Sequence, residues 1–172
     1  MIFHFNSWQG TPFHDDLEMI FTYFAYPKIN LEYIQTLLQH ESSNVALYCF
    51  DDQFNIRNCP SCMIYHKEGD TYYITMICTP RKFRGLGYAT MLLEGFIEKI
   101  RDDSNNPQGC IANNPHVLRV ILSALDDVVS YYQKVGFEVV DCDLTEYPGL
   151  SRFEKQDDSK MYSVMELIVS IE

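Results

Sequence analysis

Residues 71–100 constrain the fold more than any other part of the sequence. They begin with TYYITMICT, a run of β-branched and aromatic residues that predicts a strand. Gly85 and Gly87 follow in a short turn. Apolar residues then recur at helical spacing: Ala89, Leu92, Leu93, Phe96, Ile97 and Ile100. This spacing predicts an amphipathic helix, so the segment predicts a strand that turns directly into a helix.

Patterns in the rest of the chain predict further helices and strands in one continuous domain. The predicted helices cover residues 15–24, 29–41 and 126–135, and the predicted strands cover residues 44–50, 62–68, 116–124, 137–143 and 161–171. Turn-forming residues dominate positions 102–115, and positions 144–160 form a polar loop. We therefore expect a mixed α/β (α+β) fold in a single domain of residues 1–172.

Charge and hydropathy narrow the possible partners. The formal net charge is -11, from 13 Lys+Arg against 24 Asp+Glu, so the chain lacks the basic footprint of direct nucleic-acid binding. A negative field favours cationic partners such as amines, although excess acid also serves solubility alone. The sequence contains no membrane-spanning apolar run and no secretory signal at its N-terminus. We therefore expect a cytoplasmic location, in which the six cysteines stay as thiols.

The glycine turn before the predicted helix has the properties of an anion site. The first turn of a helix leaves about four backbone N–H groups without partners, and glycines let an anion approach them closely. Arg84 adds a side-chain donor, while Arg81 and Lys82 are either further contacts or solvated charges. Gly87 is followed by Tyr88, Ala89 and Thr90, which supply neither the Lys of a P-loop nor the third Gly of the dinucleotide fingerprint, so both motifs fit poorly. The alternative to an anion site is a tight turn between strand and helix whose basic side chains are simply solvated.

Two motifs resemble those of the GNAT superfamily of N-acetyltransferases. Arg84–Ala89 matches the R/Q-x-x-G-x-G/A signature of its acetyl-CoA pyrophosphate site. Residues 130–140, SYYQKVGFEVV, are similar to its F-Y-x-K-x-G-F element. The resemblance implies a mixed, mostly antiparallel sheet of about six to seven strands, flanked by about four helices.

The resemblance also implies a site for acetyl-CoA, which is the expected cofactor. The main chain of Ile77, Cys78 and Thr79 is then expected to pair with the pantetheine arm. The side chain of Arg84 is expected to contact the pyrophosphate. The amides expected to hold the pyrophosphate belong to Gly85, Leu86, Gly87, Tyr88, Ala89 and Thr90. Leu86 and Tyr88 are expected to contribute only their backbone amides to this site, so their side chains are expected to be free to vary.

Tyr132 matches the tyrosine that, in the resembled family, protonates the thiolate of the leaving CoA. A packing role in the core is the alternative. Many members of the family have an Asn that contacts the cofactor where this sequence has Leu125. Some have a Glu that helps to deprotonate the amine where this sequence has Val120. No general base is therefore assigned. Asp126 and Asp127 are candidates, although both also suit the N-cap and first turn of a helix.

Cys59 and Cys62 form a C-x-x-C motif, and His66 follows four residues later. A structural zinc usually needs a second pair of ligands, which the sequence lacks, so no metal site is predicted. The motif lies in a hairpin-like region and not at the start of a helix, which argues against a redox role. Seven acidic residues between positions 138 and 158 form either an amine-attracting rim or a solvated loop.

These observations predict an N-acetyltransferase that moves acetyl from acetyl-CoA to a primary amine, by direct attack in a ternary complex. The acceptor is expected to be cationic, either a lysine or N-terminus of a protein or a polyamine-like small molecule. A non-catalytic module that only binds acyl-CoA is the alternative. A nucleotide-dependent phosphotransferase is a third class, but the lysine that it needs is absent. We expect a monomer or a homodimer.

Overall fold

The computed structural model describes residues 2–6, 15–16, 18–19, 21, 31–40, 43–53, 55, 58–105, 117–151 and 162–171. The strands are β1 (Ile2–Asn6), β2 (Ser43–Tyr48), β3 (Ser61–Glu68), β4 (Thr71–Cys78), β5 (Val117–Leu125), β6 (Glu138–Val139) and β7 (Tyr162–Ser170). The helices are α1 (Leu31–Gln39), α2 (Tyr88–Asn105), α3 (Val129–Val135) and α4 (Pro148–Ser151). Short 3-10 turns cover Arg81–Phe83, Asp126–Val128 and Leu144–Glu146.

Most predicted elements are present in the structure, and two elements were not predicted. In the first predicted helix, the described residues at 15–16, 18–19 and 21 are helical. Strand β1 and the short helix α4 had no counterpart in the sequence patterns. Most of the predicted loop at 102–115 and the second half of the loop at 144–160 lie outside the described residues.

The strands pair in the order β1-β2-β3-β4-β5-β7-β6, in a sheet of seven strands. This mixed sheet with helices confirms the predicted α/β architecture. The chain divides into two compact units, Met1–Tyr65 with Met76–Phe96 and His66–Thr75 with Ile97–Glu172. The single domain of residues 1–172 stays a prediction.

In the first unit, β1 pairs with β2 along its whole length in antiparallel register. Two helical stripes contribute to the core of this unit, and their residues are buried: Ile34, Leu37 and Leu38 of α1, and Leu92, Leu93 and Phe96 of α2. This burial follows the three-and-four spacing that predicted both helices. Within the described ranges, no helix is long and apolar enough to cross a membrane.

The second unit contains the parallel strand pair. Thr71–Ile74 of β4 pair with Arg119–Leu122 of β5, and β4 continues to Cys78 beyond this register. All nine residues of β5 pair with β7 in antiparallel register, and β7 also pairs with the two residues of β6. A parallel pair needs a long crossover connection, and the connection between β4 and β5 contains α2.

The strand predicted at residues 137–143 is wrong in its length, because β6 covers Glu138–Val139 only. The N–H of Val140 still donates to the carbonyl of Val164 at 2.9 Å. The N–H of Cys142 then donates to the carbonyl of Val140 at 3.0 Å, which closes a three-residue turn. This local turn takes the place of further strand pairing with β7, so β6 ends at Val139.

The helix predicted at residues 126–135 forms, although its first turn is a 3-10 turn and the α-helix begins at Val129. It ends at Gly136, as predicted, where the φ angle is 116°. The N–H groups of Gly136 and Phe137 both donate to the carbonyl of Tyr132, at 3.2 and 3.0 Å. Glycine adopts this left-handed conformation without steric cost, which explains why the helix stops here.

Phe96→Ala is expected to destabilise the first unit strongly. Phe96 is fully buried, and its ring centroid lies 4.7 Å from that of Tyr65. Removing a buried aromatic side chain lowers the free energy of unfolding by about 3–5 kcal/mol, because burial and packing are both lost. Urea unfolding followed by circular dichroism measures this loss, with the exposed Glu94→Ala on the same helix as the control. A loss below about 1 kcal/mol would contradict the packing described here.

Candidate functional site

The turn between β4 and α2 keeps part of its main chain accessible. A 3-10 turn, Arg81–Phe83, leads out of β4. Gly85 and Gly87 follow with φ angles of 77° and 85°, in the left-handed region that residues with side chains rarely adopt. A Cβ added at either glycine would meet no atom within 4 Å. The backbone conformation therefore favours glycine at both positions, and the space around them is open.

Helix α2 begins directly after these glycines. Its first turn is closed by a hydrogen bond from the N–H of Met91 to the carbonyl of Gly87, at 3.0 Å. The N–H groups of Tyr88 and Ala89 come before this bond, so they have no carbonyl partner within the helix. The helix dipole adds partial positive charge at the same end. A diphosphate is the kind of ligand that such an arrangement can bind.

Arg84 bridges the base of this glycine turn. Its Nε donates to the carbonyl of Thr79 at 2.9 Å, which ties the end of β4 to the start of the turn. The guanidinium has further N–H donors that suit phosphate oxygens. The sequence motif specified an arginine at this position but did not indicate the bond to Thr79. Contact between Arg84 and a pyrophosphate stays a prediction.

The residues predicted to pair with pantetheine lie at the end of β4 and in the residue that follows. Ile77, Cys78 and Thr79 are all half-buried. Ser61 of β3 donates its hydroxyl to the carbonyl of Cys78 at 3.3 Å, and its Oγ lies 3.1 Å from Thr79 Oγ1. Ser61 is fully buried and was not singled out from the sequence. It fixes this end of the strand through one backbone and one side-chain contact.

Four aromatic rings pack together beside the glycine turn. The ring centroid of Tyr88 lies 5.2 Å from that of Phe50, 5.8 Å from that of Tyr48 and 5.9 Å from that of Phe83. The side chain of Tyr88 is therefore packed among three rings, and the expectation that it is free to vary stays a prediction. Leu86, by contrast, is 60% exposed, as expected for a residue that contributes only its backbone.

Tyr132 lies in the second unit, on α3, and only 8% of it is exposed. Its ring centroid lies 5.1 Å from that of Tyr131 and 5.7 Å from that of Phe137, both in edge-to-face geometry. This packing holds the phenol ring in place. A proton donor and a core residue both have this property, so the catalytic role of Tyr132 stays a prediction.

Comparison with known proteins identifies the fold. No family model and no curated protein matches the chain. Among solved structures, Tetrahymena GCN5 has a TM-score of 0.66 at 17% identity, over 95% of this chain and 93% of that chain. An acetyltransferase of the GNAT family from Staphylococcus aureus has a TM-score of 0.59 at 15% identity, over 99% of this chain and 100% of that chain. An aminoglycoside 6'-N-acetyltransferase, complexed with coenzyme A, has a TM-score of 0.60 at 11% identity, over 100% of this chain and 98% of that chain.

The chain has the GNAT fold. This confirms the predicted fold class, including the mixed and mostly antiparallel sheet. At these identities the likeness establishes the GNAT fold and not the reaction, since one fold hosts many functions.

In this GNAT fold, Ser123 is a polar group that sequence reasoning missed. It follows Leu122, the last β5 residue that pairs with β4. Its Oγ is buried, with no hydrogen-bond partner among the described residues. A buried hydroxyl without a protein partner is costly, which makes Ser123 a candidate contact for a bound molecule. The only signal for it was a single hydroxyl in the apolar run VLRVILSAL.

An ionic network in the second unit was also missed. Arg119 Nε donates to Glu166 Oε2 at 2.9 Å, and Arg119 also forms a hydrogen bond with Tyr147. A hydrogen bond with Cys142, together with burial, raises the pKa of Tyr147 to about 12, so this phenol stays protonated at neutral pH. Arg119 and Glu166 are 47 residues apart, so no motif spacing could have revealed the pair.

The candidate bases Asp126 and Asp127 are exposed in the 3-10 turn that precedes α3. The residue at the N-cap of this turn is Leu125, which makes no side-chain capping bond. The suggestion that an aspartate caps the helix is therefore wrong, whereas the expected position of the two aspartates in its first turn is confirmed. The general base stays unassigned.

The structure gives the members of the C-x-x-C motif different partners. The thiol of Cys59 donates to the backbone carbonyl of Ser61 at 3.4 Å, and the thiol of Cys62 donates to the backbone carbonyl of Cys78 at 3.9 Å. His66 is fully buried, and its ring stacks on an aromatic ring of β4, with centroids 5.2 Å apart. In the part of the chain that the structure describes, no group of three His, Cys, Asp or Glu side chains is arranged to hold a metal ion.

Proposed function

We propose that the protein is an N-acetyltransferase that transfers the acetyl group of acetyl-CoA to a primary amine. One observation carries this proposal, namely the open glycine turn at the N-terminus of α2 in a GNAT fold. The left-handed Gly85 and Gly87 lead directly into the helix, and the N–H groups of Tyr88 and Ala89 precede the bond from Met91 to Gly87, so a diphosphate can approach them. A protein with the same fold, the aminoglycoside N-acetyltransferase, was solved with coenzyme A.

The cofactor is proposed to lie along the glycine turn and the end of β4. The amides of residues 85–90 and the guanidinium of Arg84 hold the pyrophosphate. The main chain of Ile77, Cys78 and Thr79 pairs with the pantetheine arm, because these residues lie beyond the last pair that β4 forms with β5. The bond from Ser61 to the carbonyl of Cys78 keeps this strand end in place for that pairing.

The reaction is proposed to be direct attack of the amine on the thioester carbonyl. A C–N bond forms, the C–S bond breaks, and the phenol of Tyr132 donates its proton to the departing thiolate. The amine loses a proton to a base that is not assigned, with Asp126, Asp127 or a chain of water as candidates. Positioning of the two reactants supplies the rest of the rate enhancement, since no covalent enzyme intermediate is needed.

The acceptor is proposed to be a cationic amine, either a lysine or N-terminus of a protein or a polyamine-like molecule. The net charge of -11 supports this choice, because a negative field raises the local concentration of cations. A cytoplasmic location, no direct binding of nucleic acid or membranes, and a monomeric or homodimeric state remain predictions from the sequence.

Release of free CoA thiol from acetyl-CoA tests the proposed activity. The protein is assayed with a panel of primary amines that contains a polyamine, a peptide with an internal lysine and a peptide with a free N-terminus. At least one amine is expected to raise the rate of thiol release about tenfold or more above the amine-free rate. Mass spectrometry of the acceptor identifies the acetylated nitrogen.

Calorimetry distinguishes the alternatives. If the protein binds acetyl-CoA but no amine raises thiol release, the protein is a non-catalytic acyl-CoA-binding module and the enzymatic proposal is wrong. If the protein binds ATP in preference to acetyl-CoA, the assignment of the glycine turn to CoA is wrong.

A further inference from the structure

Two side-chain hydroxyls and two consecutive main-chain carbonyls form a network at the end of β4. Ser61 Oγ, at the start of β3, donates to the carbonyl of Cys78 at 3.3 Å and lies 3.1 Å from Thr79 Oγ1. The carbonyl of Thr79 in turn accepts a hydrogen bond from Arg84 Nε at 2.9 Å. All four residues belong to the first unit. Thr79 therefore connects β3 to the glycine turn through two different atoms.

The hydrogens of this network can be assigned by counting. A hydroxyl has one hydrogen and two lone pairs, and a carbonyl has lone pairs only. Ser61 gives its single hydrogen to the carbonyl of Cys78, so the hydrogen between the two hydroxyls comes from Thr79. The opposite assignment leaves the carbonyl oxygen of Cys78 facing the Ser61 oxygen with no hydrogen between them. Thr79 therefore donates to Ser61, and Ser61 donates to Cys78.

Burial supports this direction. Ser61 is fully buried, whereas Thr79 is half-buried. A buried hydroxyl needs its partners within the protein, and the assigned direction makes Ser61 both a donor and an acceptor. Thr79 Oγ1 then has lone pairs and no hydrogen to offer a ligand, and it lies at the accessible end of the chain of hydroxyls.

We propose that the Thr79 hydroxyl is a hydrogen-bond acceptor for the pantetheine arm of CoA, and that Ser61 is the positioning residue that makes it one by holding its hydrogen. This inference rests on the proposed function, which brings the arm to the end of β4. It adds a side-chain contact to the main-chain pairing proposed there.

The polarity of the Thr79 hydroxyl favours the arm over the phosphates. The pyrophosphate oxygens of CoA are ionised at neutral pH, so they have no hydrogen to give to Thr79 Oγ1. The pantetheine arm contains two amide N–H groups, and an amide N–H is a suitable donor to a hydroxyl oxygen. The donors that phosphates need lie further along the chain, in Arg84 and the amides of the glycine turn.

The bond between Arg84 and Thr79 ties these two kinds of group together. The carbonyl of Thr79 uses Nε of the guanidinium, and the other N–H groups of this exposed side chain stay available for phosphate oxygens. An acceptor for the arm and donors for the pyrophosphate are thus joined by one hydrogen bond. A ligand with an amide-bearing arm on a pyrophosphate, as CoA has, is complementary to this order of groups.

An isosteric variant and two ligands test the contact. Thr79→Val replaces the hydroxyl by a methyl group and leaves the main-chain bond to Arg84 in place. We expect it to weaken the binding of CoA by about three- to tenfold, the typical effect of one lost hydrogen bond. Adenosine 3',5'-bisphosphate has phosphates but no arm, so its affinity is expected to change by less than about twofold. Calorimetry measures the affinity for CoA, and competition with CoA measures the affinity for the bisphosphate.

Thr79→Ser and Thr36→Val are the matched controls. Thr79→Ser keeps the hydroxyl, so its affinity for CoA is expected to stay within about twofold of the unmutated value. Thr36→Val makes the same chemical change on α1, where the hydroxyl donates to the carbonyl of Glu32 at 2.8 Å, and it is expected to leave CoA binding unchanged. Equal affinities of Thr79→Val and Thr36→Val for CoA overturn the proposal. An equal loss for CoA and for the bisphosphate also overturns it, because the hydroxyl then acts on the glycine turn and not on the arm.

A double-mutant cycle tests the role of Ser61. Ser61→Ala is expected to weaken CoA binding about threefold, because the hydrogen of Thr79 is then no longer held away from the arm. In the Thr79→Val protein, the same change is expected to have less than about a twofold effect, because the group through which Ser61 acts is absent. An equal loss in both proteins shows that Ser61 only supports the strand, and it refutes the positioning role. If Ser61→Ala fails to fold, Ser61→Cys takes its place in the cycle, since a thiol of similar size is only a weak donor and acceptor.

The same measurements separate this inference from the proposed function. If the unmutated protein does not bind CoA, or if the bisphosphate does not compete with CoA, the proposed function fails and the contact fails with it. If CoA binds and the bisphosphate displaces it, but Thr79→Val binds CoA as the unmutated protein does, only the hydroxyl contact is wrong.

Discussion

Tyr132→Phe is expected to lower kcat for acetyl transfer by about 100-fold or more, because a positioned general acid contributes about 10²–10⁴-fold to a rate. The substitution removes one phenol oxygen and keeps the ring, so the packing against Tyr131 and Phe137 is retained. The affinity for acetyl-CoA is expected to change by less than about twofold, since the proposed role concerns the leaving thiolate and not cofactor binding. Steady-state kinetics with a saturating amine and calorimetry with CoA measure the two quantities.

Tyr131→Phe is the matched control. It makes the same chemical change one residue earlier, in a residue that has no role in the proposed reaction. We expect its kcat to stay within about twofold of the unmutated value. If both variants lose turnover equally, or if neither does, Tyr132 is not the proton donor and its motif reflects packing alone.

Gly87→Ala is expected to weaken the binding of acetyl-CoA by about tenfold or more. The added methyl group meets no protein atom within 4 Å, so the folded protein has room for it. The same space is where a pyrophosphate must approach the amides of the turn, and the methyl group obstructs that approach. A residue with a side chain at a φ of 85° also costs about 1–2 kcal/mol of backbone strain. Calorimetry measures the affinity, and urea unfolding measures the strain.

Gly69→Ala is the matched control for this strain. Gly69 lies between β3 and β4 at a φ of 62°, and a Cβ there also meets no atom within 4 Å. We expect it to lower the free energy of unfolding by a similar amount and to leave the affinity for acetyl-CoA unchanged. A Gly87→Ala protein that binds acetyl-CoA as tightly as the Gly69→Ala protein would show that the cofactor does not use this turn.

The features that could be predicted from the sequence are local ones, which residues close together in the chain determine. The spacing of Leu92, Leu93 and Phe96 predicted the buried stripe of α2, and the glycine after Val135 predicted the end of α3. The turn with Gly85 and Gly87 was predicted from its place between a strand and a helix, and the structure gives both glycines left-handed φ angles, which glycine adopts without steric cost. In each case the physical cause acts within a few residues, so the local sequence contains the information.

Other features depend on residues that are far apart in the chain. The length of β6 is set by a turn at Cys142, which the alternating pattern does not show. The packing of Phe50 on Tyr88 joins residues 38 positions apart, and the bond from Ser61 to Cys78 joins residues 17 positions apart. Contacts of this kind arise when strands pair, and one sequence does not specify which strands will be neighbours.

The sequence by itself determined the strand, the glycine turn and the helix that follows, because backbone conformation and hydrophobic periodicity are local properties. It also determined the negative charge on which the proposal of a cationic acceptor rests. Only the tertiary structure decided the partners of the side chains. It bonded the thiols of Cys59 and Cys62 to different backbone carbonyls, and it buried the hydroxyl of Ser123 with no hydrogen-bond partner among the described residues. Hydrogen bonds and ring contacts act over a few ångströms, and only the folded sheet brings distant residues that close.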